Sequence, residues 1–164
     1  MGGAEKKMNN DNNNKSKKKR QIEILLVEDN PGDIRLLKEA LKEGKIIKNL
    51  NIVNDGEEAL NYLHKQGRFL NSSSPDLILL DLNLPKKDGR ELLKEIKQDD
   101  LLKKIPVIIL TSSTVEKDII EAYNDHATCY IVKPYLLDEV LNLTKKIEDF
   151  WFDFSLVKLP PNEQ

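Results

Sequence analysis

Short apolar runs alternate along this chain with stretches whose apolar residues recur at helical spacing. Ile22 to Val27, Leu77 to Leu80, Val107 to Leu110 and Thr128 to Val132 are runs of β-branched and aliphatic residues bounded by turn signals. Runs of this kind predict strands buried on both faces, as in a parallel sheet covered by helices. Leu50 to Val53 is a weaker run of the same type, closed by Asn54, Asp55 and Gly56. Asn30 and Pro31 read as the N-cap and first position of a helix with an apolar face of Ile34, Leu36, Leu37, Ala40 and Leu41, ending at Gly44. Ala59, Leu60 and Leu63 give the next helical stripe, Arg90 to Gln98 another, and Thr114 caps a helix through Ile119, Ile120, Ala122 and Tyr123. Asp138 to Trp151 is the last helix, and Gln66 to Pro75 is a long polar connection. Five strands alternating with five helices predict a doubly wound α/β fold, a five-stranded parallel sheet with helices on both faces because parallel crossovers are right-handed.

The polar residues that end these runs carry the chemistry. Glu28 and Asp29 follow the first run, Asp81 the third, Thr111 the fourth and Lys133 the fifth. In open α/β sheets ligands bind beyond the carboxyl ends of the strands, so the predicted fold brings these groups to one crevice. Three carboxylates would raise one another's pKa unless a cation lay among them. Mg2+ suits that set, since it takes oxygen ligands and uses one or two carboxylates together with a phosphate oxygen. Lys133 then supplies a mobile positive charge and Thr111 a hydroxyl donor to a phosphoryl group. With no His or Cys in the crevice, a carboxylate has to accept that group, forming an acyl phosphate.

Composition narrows the class. A chain of 164 residues is long enough for one self-sufficient core, and its single Cys129 excludes an internal disulfide. No apolar run approaches the ~18 residues of a spanning helix, and no signal-peptide pattern opens the chain, so a cytoplasmic protein without membrane attachment is expected. Residues 1–20 hold seven basic against two acidic residues, a net of +5 that leaves −7 for the rest of a chain at −2 overall. That Asn- and Lys-rich segment is expected to be a disordered tail or an appended leader, and the acidic remainder argues against a nucleic-acid surface. The expected organisation is the tail at 1–20, the folded domain at 21–152 and an apolar C-terminal extension at 153–164.

Four motifs in order carry a family resemblance: Leu-Val-Glu28-Asp29-Asn, Leu-Leu-Asp81-Leu-Asn83-Leu-Pro85-Lys-Lys-Asp88-Gly89, Leu-Thr111-Ser112, and Tyr130-Ile-Val-Lys133-Pro134. Together they resemble the receiver domains of two-component response regulators over roughly Ile22 to Trp151. The resemblance implies a flavodoxin-like (βα)5 fold with strand order 2-1-3-4-5, an order taken from the family and not from this sequence. It implies Asp81 as the phosphoacceptor and Mg2+ held by Asp29, Asp81 and the backbone carbonyl of Asn83, with Glu28 acting mainly through the metal's waters. Thr111 and Lys133 would bind the phosphoryl oxygens, Lys133 being placed by a cis bond to Pro134. Thr111 and Tyr130 would form the switch, and Asn83 and Ser113 would tune hydrolysis of the acyl phosphate. A sensor histidine kinase would be the donor, and a downstream protein or phosphotransfer partner the recipient of the signal. Such a domain is no enzyme in the ordinary sense, since it catalyses only its own phosphorylation and dephosphorylation.

Ser112 departs from the small Ala or Gly frequent at that position, and no DNA-binding domain follows. The long connection before Pro75 and the segment Phe150-Trp151-Phe152 look like single-domain receivers paired with phytochrome-type kinases; Trp151 and Phe154 read first as packing residues and, as a second reading, as the contact of a homodimer. An aspartate-nucleophile phosphatase would need a second carboxylate where Asn83 stands, and a flavin-binding domain would need a phosphate-cradling loop in place of Glu28-Asp29-Asn30-Pro31. The remaining alternative is a receiver-like binding module that is never phosphorylated. Asp55 and Asp88 read as turn residues, and His64 and His126 as solvated or packing residues without a metal-ligand partner.

Overall fold

The computed structural model describes residues 21–112, 129–133 and 137–158. Strands β1 (Gln21–Val27), β2 (Ile47–Val53), β3 (Leu77–Asp81), β4 (Val107–Thr111) and β5 (Cys129–Val132) form one all-parallel sheet. Their order is β2-β1-β3-β4-β5, the flavodoxin-like order that the resemblance implies. The described helices are α1 (Pro31–Lys42), α2 (Gly56–Leu63), α3 (Gly89–Gln98) and α4 (Leu137–Lys158). The helix expected from Thr114, the residues Ser113, His126 and Pro134, and the basic tail lie outside the described residues.

The period-two geometry of strands explains why the apolar runs are continuous. Leu25, Val27, Ile78, Leu80, Val107 and Ile109 face α2 and α3, in one cluster with Ala59, Tyr62, Leu92, Leu93 and Ile96. Their alternates Ile24, Leu26, Leu77, Leu79, Ile108 and Leu110 face α1 and α4, with Leu37, Leu41, Leu143, Ile147 and Trp151. Both faces are therefore covered, and neither parity can be polar until the strand leaves the core. Trp151 belongs to the domain's own core at 9% exposure, the packing role read for it from the sequence.

Two boundaries differ from expectation. β2 begins at Ile47, not Leu50, because it is an edge strand: Asn49 and Asn51 reach Glu23 at 2.9 and 3.2 Å, and polar residues there conceal the strand. The last helix continues past Trp151 to Lys158, there being no helix breaker before Pro160.

At the amino edge of the sheet a compact ionic knot fastens α4 to the turn between α1 and β2. The Lys48 side chain is 1% exposed, and its ammonium donates to Glu148 Oε1 at 2.6 Å and to the carbonyls of Glu43 and Ile46 at 3.0 Å each. Glu148 also accepts from the backbone N–H groups of Lys45 at 3.1 Å and Ile46 at 3.3 Å. Burial raises the Glu148 pKa, but these hydrogen bonds outweigh it and hold the carboxyl below its ordinary value. Gly44 is required in this turn, since its φ is +100° and a Cβ there would lie 2.0 Å from Glu148 Oε1. The Thr144 hydroxyl donates to the Ala40 carbonyl and ties α4 to α1 a second time.

Candidate functional site

The opposite, carboxyl edge gathers the residues singled out by the sequence. β1 delivers Glu28 and Asp29, β3 ends in Asp81, β4 ends in Thr111, and Lys133 follows β5. Two ladder bonds extend beyond the strands: Glu28 N–H donates to the Val53 carbonyl at 3.0 Å and Lys133 N–H to the Thr111 carbonyl at 2.7 Å. The functional side chains therefore leave a backbone that the sheet still holds.

Glu28, Asp81 and Thr111 are buried, whereas Asp29 is exposed. Carboxylate oxygens of Glu28, Asp29 and Asp81 lie within 4.8 Å of one another. Asp81 is fixed through both oxygens, Oδ1 accepting from Asn83 N–H at 3.0 Å and Oδ2 from the Lys133 ammonium at 2.9 Å. Glu28 Oε1 accepts from Asn30 N–H at 3.2 Å. Its buried Oε2 faces Lys133 at 2.7 Å without an aligned hydrogen bond.

Local sequence builds this edge. The Asn30 side chain caps α1 through Asp33 N–H at 3.0 Å, as the Asn-Pro pair predicts. Asp55 and Asp88 are the expected turn residues and cap α2 and α3, accepting from Glu58 N–H at 2.9 Å and Arg90 N–H at 2.7 Å. The loop after Asp81 closes back on itself where Gly89 N–H donates to the Leu82 carbonyl at 3.0 Å. A Cβ on Gly89 would come within 2.5 Å of the Asp81 carbonyl oxygen, so only glycine permits that approach.

The charges are out of balance. Burial, reinforced by Asp81, pushes the Glu28 carboxyl up to about 7 against the opposing pull of Lys133. Burial also disfavours the charged Lys133, but the facing carboxyl groups of Glu28, Asp33 and Asp81 outweigh it and hold the ammonium above its ordinary value. One ammonium thus faces the carboxyl groups of Glu28, Asp33 and Asp81, with Asp29 alongside. An all-oxygen donor set with a buried, unaligned carboxylate oxygen fits a hard divalent cation such as Mg2+.

Asp33 was not among the expected site residues. Its Oδ2 accepts from Lys133 at 2.9 Å, 100 positions away in the sequence. An acidic residue in the first turn of a helix is explained by the helix dipole alone, and only the position of α1 above the sheet edge reveals the contact. Thr111 shares the strand parity of Ile109, and Tyr130, which pairs with Ile109 in register, is half-buried against the α2–α3 cluster. The expected switch residues therefore lie on one face. Asn83 is exposed, with its N–H on Asp81; Ser113 and Pro134 lie outside the described residues. His64, read as a solvated or packing residue, contacts Asp99 at 2.8 Å and joins the end of α2 to the end of α3.

Comparison with known proteins agrees with this geometry. Residues 24–145 match the model of the response regulator receiver domain. The response regulator Rcp1 of Synechocystis sp. is 50% identical over 130 residues, covering 79% of this chain and 88% of Rcp1. The crystal structure of the phosphorylated cyanobacterial phytochrome response regulator RcpA superposes with a TM-score of 0.75 at 51% identity, covering 80% of this chain and 94% of that one. The Mn2+-bound form of Rcp1 gives a TM-score of 0.74 at 49% identity, over 85% and 99% of the two chains. With the sheet order, the acidic edge and a family match over most of its length in agreement, the chain belongs to the response regulator receiver domains.

Proposed function

We propose that Asp81 accepts a phosphoryl group from the phosphohistidine of a sensor kinase, and that this charge switches the surface around β4 and β5 for a partner. The observation that carries this reading is the convergence of Lys133 Nζ on Asp81 Oδ2 at 2.9 Å beside a carboxylate set within 4.8 Å. Asn83 N–H and Lys133 orient the Asp81 carboxylate before any donor arrives, which is the positional advantage of a preformed site. An Asp81 oxygen attacks phosphorus, the O–P bond forms as the donor's N–P bond breaks, and the electron pair leaves with the imidazole nitrogen. Glu28, Asp29 and Asp81, with the Asn83 carbonyl, would hold Mg2+. When bound, Mg2+ neutralises charge on the transferring oxygens.

Lys133 and the Thr111 hydroxyl take the phosphoryl oxygens of the product. Movement of Thr111 toward the acyl phosphate frees space on the face it shares with Tyr130, which turns inward. Asn83, whose N–H rests on Asp81, would tune the lifetime of the acyl phosphate. The names of the phytochrome response regulators RcpA and Rcp1 support a phytochrome-type kinase as donor.

The test is intact mass after incubation with acetyl phosphate and Mg2+, comparing wild type with Asp81→Asn. A labile gain of one phosphoryl group in wild type alone is expected. A wild type that gains none, even with a cognate kinase, would hand the site to the binding-module reading.

A further inference from the structure

We propose that Asp33 is a placeholder for the phosphoryl group: it holds the Lys133 ammonium in the unphosphorylated state and is the partner that Lys133 releases when Asp81 is modified. This role rests on the reading of Asp81 as acceptor.

An ammonium has three donors and no more. Here Asp33 Oδ2 and Asp81 Oδ2 each accept at 2.9 Å, and Glu28 Oε2 stands at 2.7 Å. Three carboxylate oxygens already stand within 2.9 Å of Nζ, so contact with a new anionic phosphoryl oxygen requires one of them to leave. The three carboxylates differ in what leaving would cost. The Glu28 side chain is 0% exposed, and a carboxylate abandoned there has no water to turn to. Asp81 is the point of attachment and cannot move away. The Asp33 side chain is 35% exposed and belongs to the first turn of α1, so water resolvates it on release. Asp33 is therefore the exchangeable ligand, and its carboxylate is the chemical stand-in for an anionic phosphoryl oxygen on the same ammonium.

Two consequences follow from charge alone. Asp33 repels an incoming anionic donor, more strongly the greater the donor's charge. It also competes with the bound phosphoryl group for Lys133. Asp33→Asn keeps the shape, and its carboxamide oxygen still accepts from Lys133, but the negative charge is gone. At saturating Mg2+, confirmed for each variant by calorimetric titration, half-saturation by doubly charged acetyl phosphate should fall about tenfold and by singly charged phosphoramidate about threefold. The gap between donors should narrow as ionic strength rises. Asp33→Glu, which restores the charge, should return both values toward wild type, whereas Asp33→Ala should resemble Asp33→Asn.

A donor-independent change in Asp33→Asn, or none, overturns the role of Asp33 while leaving Asp81 as acceptor. A wild type phosphorylated neither by these donors nor by a cognate kinase overturns the reading of Asp81 and this role with it. A structural readout stands apart from activity. In a crystal structure of the wild type with Mg2+ and beryllofluoride, Lys133 Nζ should contact a fluoride and lie beyond hydrogen-bond distance of Asp33. Retention of the 2.9 Å contact in that complex overturns the exchange.

Discussion

Lys48 and Lys133 stand at opposite edges of the same sheet, each drawn into a cluster of carboxylate and carbonyl oxygens, and the two clusters differ in charge balance. At the amino edge Lys48 meets one carboxylate and two carbonyls, and Glu148 is satisfied in turn by backbone N–H groups. At the carboxyl edge Lys133 meets three carboxylates, and a buried Glu28 oxygen keeps no aligned hydrogen bond. The pKa directions report the same contrast: Glu148 is held below its ordinary value and Glu28 is pushed up to about 7. A balanced cluster holds helices together. An unbalanced one suits a divalent cation, as the acidic oxygens at this edge do.

Breaking the balanced cluster should have the largest effect on stability. Lys48→Met leaves Glu148 without its main counter-charge and should cost about 3–5 kcal/mol, read as a lower urea midpoint with an unchanged slope. Because Lys48 lies at the far edge, the folded variant should still gain a phosphoryl group from acetyl phosphate. Loss of phosphorylation without loss of stability would erase the division of labour between the edges.

The unbalanced cluster should respond in the opposite direction. A carboxyl whose folded pKa exceeds its unfolded value keeps its proton in the native state while the unfolded chain has lost it, so stability falls as pH rises between the two. For Glu28 that window runs from about 4.5 to about 7 without divalent ions, and its full size is about 3 kcal/mol at most. Glu28→Gln should flatten this limb of the stability profile, and Mg2+ should oppose the decline in wild type. A wild-type profile level across that window would contradict the charge imbalance.

Glu148 should give the smallest of these signals and the reverse slope. Its lowered pKa adds stability that is present above the ordinary value of 4.5 and is lost as pH falls through the folded value. Glu148→Gln should therefore lose stability at neutral pH and show a shallower acid limb in thermal melts. The same substitution tests the knot without touching a residue of the phosphoryl site.

The legibility of the two edges in the sequence differs for the same reason. Glu28, Asp29, Asp81, Thr111 and Lys133 each end an apolar run, so the alternation of strands and turns is enough to mark them. Lys48, Glu148 and Asp33 carry no such mark. They lie in a polar edge strand, in the amphipathic α4 and in the first turn of α1, where charged residues are ordinary. Trp151 lies between the two cases, since an aromatic at the end of a helical stripe reads as packing without showing against what, and the structure places it in the domain's own core.

Sequence alone determined the parallel αβ alternation and the five polar residues at the strand ends, because both follow from local periodicity and from where an apolar run stops. The tertiary structure decided which charges meet. Contacts such as Lys133 with Asp33 and Lys48 with Glu148 join residues far apart in the chain and depend on how helices lie over the sheet edges, a geometry that no local pattern encodes.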